Sequence, residues 1–151
     1  MRQAIHELKY RNLRALVAPL AKLLRDYLLE SPLPADVLVP VPLHPKRLRE
    51  RGYNQSTRLA QELGKLTDIP VVADCLVRRR HTSPQARTSN AEERRSNIAG
   101  AFAGTDHRLR GKQVLLVDDV ATSGATLDAC AVAVKAAGAA SVWGLVMARE
   151  I

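Results

Sequence analysis

One stretch constrains this chain more than any other: Val114-Leu-Leu-Val117-Asp118-Asp119-Val-Ala121-Thr122-Ser123-Gly124-Ala125-Thr126. Its four consecutive apolar residues read as a strand buried on both faces, and two carboxylates follow where that strand is expected to emerge. A turn of small and hydroxylated residues comes next. Beyond it the period changes, because Leu127, Cys130, Ala131 and Val134 fall on one helical stripe. Strand, acidic pair, small-residue loop and helix start in one run is the build of a sugar-phosphate site. Backbone N–H groups at a helix N-terminus can hold a phosphate, and nearby carboxylates can accept hydrogen bonds from hydroxyls or hold a metal.

The rest of the chain supplies strands and helices around that stretch. Residues 1–30 carry two helical stripes, one through Ile5, Leu8, Leu13, Leu16 and Val17, the other through Leu20, Leu23, Leu24, Tyr27 and Leu28. Pro19 predicts a kink or break at Ala18, with the proline opening the second helix. Val37–Val39 reads as a short buried strand that Pro40 and Pro42 must stop, leaving Val41–His44 as a loop at its C-terminal end. A basic run follows in that loop (Lys46, Arg47, Arg49, Arg51). It reads either as a solvated face or as an anion-binding arm, since open α/β sheets bind ligands at strand C-termini and arginine suits pyrophosphate oxygens.

A helix is predicted from about Gln55 to Lys65, and a second strand over Val71–Val77. Residues 79–97 form a long polar loop, of the kind that is functional or mobile in compact domains, with a short helix from Asn90 capped by Ser89. Ile98–Ala103 is expected to return to the sheet with Phe102 inward. Leu127–Ala137 is predicted as a helix closed by Gly138, and Val142–Met147 as a final buried strand. Strands alternating with helices give an α/β fold with a parallel sheet and helices on both faces. Residues 1–30 would form a helical flank and candidate hood, and 31–151 the core.

Composition narrows the partners. A net charge of +8 favours polyanionic company: nucleic acid or a pyrophosphate-bearing metabolite. With aromatics at 3%, a surface that stacks bases on rings is hard to build. Cys75 and Cys130 are too few for a structural zinc site and read as buried thiols, which fits a reducing compartment. No apolar run approaches the roughly 18 residues of a membrane span, and no signal peptide is evident, so a cytoplasmic location is expected.

No nucleotide-binding glycine fingerprint of the G-x-x-x-x-G-K or G-x-G-x-x-G kind is present. The thirteen positions Val114–Thr126 instead closely resemble the phosphoribosyl-pyrophosphate signature of type I phosphoribosyltransferases. Ile5–Tyr10, Val39–His44, Arg51–Gln55, and Gln85 through Arg94, Asn97 and Phe102 resemble one branch, the competence-protein ComF (GntX-like) family. Members often begin with a four-cysteine zinc module; this sequence starts just after where that module would end, as a short form or because the true start lies upstream.

The resemblance implies the type I phosphoribosyltransferase fold, with phosphoribosyl pyrophosphate as ligand and magnesium as cofactor. Asp118 and Asp119 match the catalytic acidic pair that binds the ribose hydroxyls, directly or through the metal. Ala121, Thr122, Ser123, Gly124, Ala125 and Thr126 match the 5-phosphate loop. Val41, Pro42, Leu43 and His44 match the pyrophosphate loop, which in that fold commonly holds a strained peptide, and Arg47 and Arg51 are assigned to the leaving pyrophosphate. Arg79, Arg80, Gln85, Arg94 and Asn97 match a mobile loop that closes over the site, and a lid role is the functional reading of Lys9 and Tyr10.

Three functions stay open on these grounds: transfer of a phosphoribosyl group to an unidentified acceptor, a non-catalytic binding module for the same ligand, and a DNA-uptake accessory that binds nucleic acid or uptake proteins. Self-association into a homodimer is also open.

Overall fold

The computed structural model describes residues 14–79, 100–104, 107–121 and 123–150. Its centre is strand β4 (Gln113–Ala121), flanked in parallel by β1 (Val37–Pro40) and β5 (Ser141–Arg149). Val114, Leu115, Leu116 and Val117 are at most 1% exposed. Alternation along the strand explains why all four are apolar. Val114 and Leu116 face a layer built from Phe102, Cys130, Ala133 and Val134, whereas Leu115 and Val117 face Leu20, Leu24, Leu59 and Leu63. A parallel strand covered by helices on both sides has no polar face to show. The expected α/β architecture is therefore present, with α1 (Val17–Glu30) and α3 (Gln55–Thr67) on one face and α4 (Ala125–Ala136) on the other. None of the described helices is long and apolar enough to cross a membrane.

Several boundaries differ from the sequence reading. The break expected at Ala18 is absent: a 3-10 turn at Arg14–Leu16 runs straight into α1, and Pro19 sits in the first turn, where its missing N–H has no intrahelical partner to lose. The basic run is not loop but a short helix, α2 (Pro45–Arg51), which His44 caps by accepting from the Lys46 N–H at 3.1 Å.

Only the start of Val71–Val77 touches the main sheet, through a bridge from Val71 to Leu38. The chain then leaves, and β2 (Leu76–Arg78) pairs antiparallel with β3 (Phe102–Gly104) in a separate ribbon. Phe102 does pack inward, but as part of that ribbon rather than of the parallel sheet. The last strand is not a buried one. Among the described residues β5 has a single neighbour, and Leu145 alone of its own residues is buried, with Trp143 47% exposed. An apolar run at a sheet edge is indistinguishable by sequence from one at the centre.

Gly64, inside α3, shows how tightly this helix packs on the segment that leaves it, Ile69–Val71. A Cβ there would lie 2.8 Å from Val71 Cγ2 and 2.9 Å from the Ile69 carbonyl oxygen. Alanine normally stabilises a helix interior over glycine by about 1 kcal/mol, but overpacking against a stiff side chain and backbone costs about 1–3 kcal/mol. Gly64→Ala is expected to lower stability, read as a fall in the urea midpoint at unchanged slope; a rise would show that the helix can move away.

Candidate functional site

The acidic pair lies inside a strand rather than beyond it. β4 continues to Ala121, so Asp118 and Asp119 are 9% and 3% exposed. Two adjacent carboxylates so deeply placed need donors. The start of α3 provides them. Asn54 caps that helix, its Oδ1 accepting from the Ser56 N–H at 3.0 Å while its Nδ2 donates to the Val41 carbonyl at 3.0 Å. This fixes the next two side chains against β4: Ser56 Oγ donates to Asp118 Oδ1 at 2.8 Å, and Gln55 Nε2 to Asp119 Oδ2 at 3.1 Å. The backbone completes the set, with the Asp119 N–H on Asp118 Oδ1 at 2.9 Å and the Val120 N–H on Asp119 Oδ1 at 2.7 Å.

Burial first, and the neighbouring Asp119 charge second, push the Asp118 carboxyl up to about 8, against the opposing hydrogen bond from Ser56. Both effects favour a proton on the Asp118 carboxyl. A cation or a hydroxyl donor arriving at the carboxylates would favour its release.

Cations stand around the pair. Arg78, at the end of β2, is half-buried with its guanidinium 5.3 Å from the centre of the Phe102 ring. Burial, then the positive charge of Arg47, lower its pKa, while Asp118 acts in the opposite direction. Arg78 therefore lies within electrostatic reach of both Arg47, from α2, and Asp118. Arg51 Nη1 donates to Gln55 Oε1 at 3.4 Å. The Cys130 thiol is fully buried and held well above its ordinary pKa by burial and by Asp118, so it is inert packing, as is buried Cys75.

The remaining predicted residues distribute around this centre. Val41 extends the ladder, its N–H donating to the Val117 carbonyl at 2.9 Å, and Pro42, Leu43 and His44 are half-buried at the same sheet edge. The strained peptide expected there is not found: residues 41–44 have neither a cis bond nor a positive φ.

Of the 5-phosphate loop, Ala121 is the last residue of β4, while Ala125 and Thr126 open α4. Gly124 caps α4 at φ 81, a conformation that favours glycine, and Ser123 Oγ accepts from the Ala125 N–H at 3.3 Å. The N-terminus of α4 thus follows the acidic pair directly, as the sequence implied. Arg79 is exposed and its N–H donates to the Ala101 carbonyl at 2.6 Å. Thr122, Arg80, Gln85, Arg94, Asn97, Lys9, Tyr10 and the predicted helix from Asn90 lie outside the described residues.

Sequence reasoning missed Asn54, Gln55, Ser56 and Arg78 as site residues. The signal was available for three of them: a capping asparagine followed by two polar residues, at the start of a helix whose other inward positions are apolar.

No group of three or more His, Cys, Asp or Glu side chains that could hold a metal ion occurs among the described residues. Two carboxylates suit an ion that takes one or two protein oxygens and completes its shell with water and phosphate, which is magnesium's habit. A cavity of about 500 Å³ adjoins the site, with Pro42, Leu43, Tyr53, Asn54, Arg58 and Arg78 in its walls.

Residues 10–149 match the family model described as phosphoribosyl transferase domain. Competence protein F of Haemophilus influenzae is 38% identical over 117 residues, which cover 75% of this chain and 51% of that protein. DNA utilization protein YhgH of Salmonella typhi is 34% identical over 144 residues, covering 91% of this chain and 62% of the relative. The chain thus spans about half to three-fifths of the length of these relatives.

Among solved structures, glutamine phosphoribosylpyrophosphate amidotransferase from B. subtilis aligns with a TM-score of 0.60 at 22% identity, over 89% of this chain and 26% of that one. Purine phosphoribosyltransferase from Pyrococcus horikoshii aligns at 0.52 and 20%, over 87% and 70%. At such identities these two show the fold alone.

The buried pair makes a pH prediction. Because the Asp118 pKa is raised from 3.8 to about 8, the folded state binds more protons than the unfolded state between those values. Stability therefore falls as pH rises through that window. Urea midpoints of the wild-type protein should decrease from pH 5 to pH 8, and those of Asp118→Asn should change less; parallel curves would contradict the assignment.

Proposed function

The chain belongs to the phosphoribosyl transferase domain family, and on that premise we propose that it binds phosphoribosyl pyrophosphate with magnesium and transfers the phosphoribosyl group to an acceptor, releasing pyrophosphate. The observation that carries this reading is the buried Asp118–Asp119 pair on the central strand, followed within a few residues by the N-terminus of α4. The 5-phosphate is received by the backbone N–H groups around Ser123–Thr126, where the helix end favours an anion. The ribose hydroxyls donate to Asp118 and Asp119. Such charge-assisted hydrogen bonds contribute about 1.5–3 kcal/mol each. Loop Val41–His44 with Arg47 and Arg51 faces the pyrophosphate, and Arg78 adds a third guanidinium.

In the transfer, the bond from C1 of the ribose to the pyrophosphate oxygen breaks and its electron pair leaves with pyrophosphate. The acceptor's lone pair forms the new bond at C1. The ring carries positive charge between these events, and the fixed carboxylates stabilise it while the arginines stabilise the departing anion. Magnesium, when bound, would be held by Asp118 or Asp119, directly or through water, and would neutralise charge on the pyrophosphate.

A second reading draws on the relatives' names. Competence protein F and DNA utilization protein YhgH support an accessory role in DNA uptake or use, which the +8 charge also suits. Association with DNA through several phosphates would weaken steeply between about 50 and 200 mM salt, whereas binding in the carboxylate site would depend on magnesium and respond less.

Calorimetric titration with magnesium phosphoribosyl pyrophosphate should show binding to the wild type. Loss of two charge-assisted bonds predicts affinity at least about 100-fold weaker for the Asp118→Asn/Asp119→Asn double variant. Equal affinities would refute the site. Pyrophosphate release over a panel of acceptors separates a transferase from a module that only binds.

A further inference from the structure

Gln55 is the first residue of α3, 4% exposed, and it touches both halves of the site. Its Oε1 accepts from Arg51 Nη1 at 3.4 Å, and its Nε2 donates to Asp119 Oδ2 at 3.1 Å. A carboxamide has one accepting end and one donating end, so only this orientation suits a guanidinium on one side and a carboxylate on the other. The reverse would set an amino group against the cation and an oxygen against the anion. Burial keeps water from substituting for either partner. The start of α3 that carries it is anchored, because Asn54 accepts from the Ser56 N–H and donates to the Val41 carbonyl.

We propose that Gln55 is a positioning residue that couples the pyrophosphate arm of the site to its ribose arm, so that the protein favours a ligand carrying both groups over either group alone. This role rests on the function proposed above. Arg51 belongs to α2 and Asp119 to β4, the elements assigned above to the pyrophosphate and to the ribose. When an anion draws the guanidinium of Arg51, the Gln55 amide reorients, and its hydrogen bond to Asp119 follows. A ligand that also presents hydroxyls to Asp119 meets the carboxylate already adjusted. The bond to Arg51 is long, so its effect lies in orientation rather than in static stability.

Two measurements test the coupling. The first is calorimetry of wild type and Gln55→Met with three probes: magnesium phosphoribosyl pyrophosphate, magnesium pyrophosphate and ribose 5-phosphate. The substitution should weaken the intact ligand by about tenfold or more and each fragment by less than about threefold. Fragment losses that together account for the whole loss, or an intact ligand unaffected by Gln55→Met, would overturn the role alone. Failure of the wild-type protein to bind the intact ligand would overturn the function and this role with it.

The second measurement needs no ligand and no variant of a buried residue. The side-chain NH2 signals of Gln55 in 15N-labelled protein should shift on Arg51→Ala. Signals indifferent to Arg51, or exchanging like those of a solvent-exposed glutamine, would show that the link does not exist.

Discussion

The fold depends on one costly arrangement: two adjacent carboxylates held inside the central strand. Uncompensated, either would be driven to bind a proton or to destabilise the strand that carries it. The start of α3 makes it tolerable. Asn54 sets the helix end, Ser56 and Gln55 reach Asp118 and Asp119, and the backbone of β4 supplies two further N–H donors. The compensation is incomplete, since Asp118 remains displaced far above an ordinary carboxylate. That residual cost is what a site poised for hydroxyls or a cation would keep in store.

Layering brings the other parts to the same place. β1 and β4 run parallel, so the loop after Pro40 and the loop after Ala121 leave the sheet at one edge. Asn54 joins the first of these loops to α3, and α3 reaches β4, so three segments distant in sequence share one hydrogen-bonded junction. The β2–β3 ribbon then sets Arg78 nearby, its guanidinium over the Phe102 ring and within reach of the Asp118 charge. Cys130 packs beneath without taking part in the chemistry.

Much of this was legible in the chain. Four apolar residues in a row meant a strand covered on both faces, and Val114–Val117 are so covered, because no polar alternation could survive between two helical layers. Pro42 marked a strand end for a plain covalent reason, the loss of a ladder donor, but Pro40 stays within β1 and the Val41 N–H still donates to Val117, so the strand runs past the expected stop after Val39. What the sequence hid was tertiary. Nothing local separates β5 at the edge from a central strand, and nothing in Leu76–Arg78 says that it pairs with Phe102–Gly104 rather than joining the sheet. The basic run looked like loop because Pro45 and charged residues suit one, yet proline at a helix start and His44 as a cap make α2. The capping Asn54 and the two polar residues after it marked a helix start that is unusually polar, but that Gln55 and Ser56 reach Asp119 and Asp118, more than sixty positions on, is a tertiary fact.

In the function proposed, the acidic pair and the α4 N-terminus hold opposite ends of one sugar phosphate. A crystal structure of the protein grown with magnesium and phosphoribosyl pyrophosphate tests it most directly. Ribose hydroxyls are expected on Asp118 and Asp119, the 5-phosphate on the backbone of Ser123–Thr126, and pyrophosphate toward Val41–His44 and Arg47. Ligand density away from the carboxylates, or a site that stays free of ligand at saturating concentration, would contradict it.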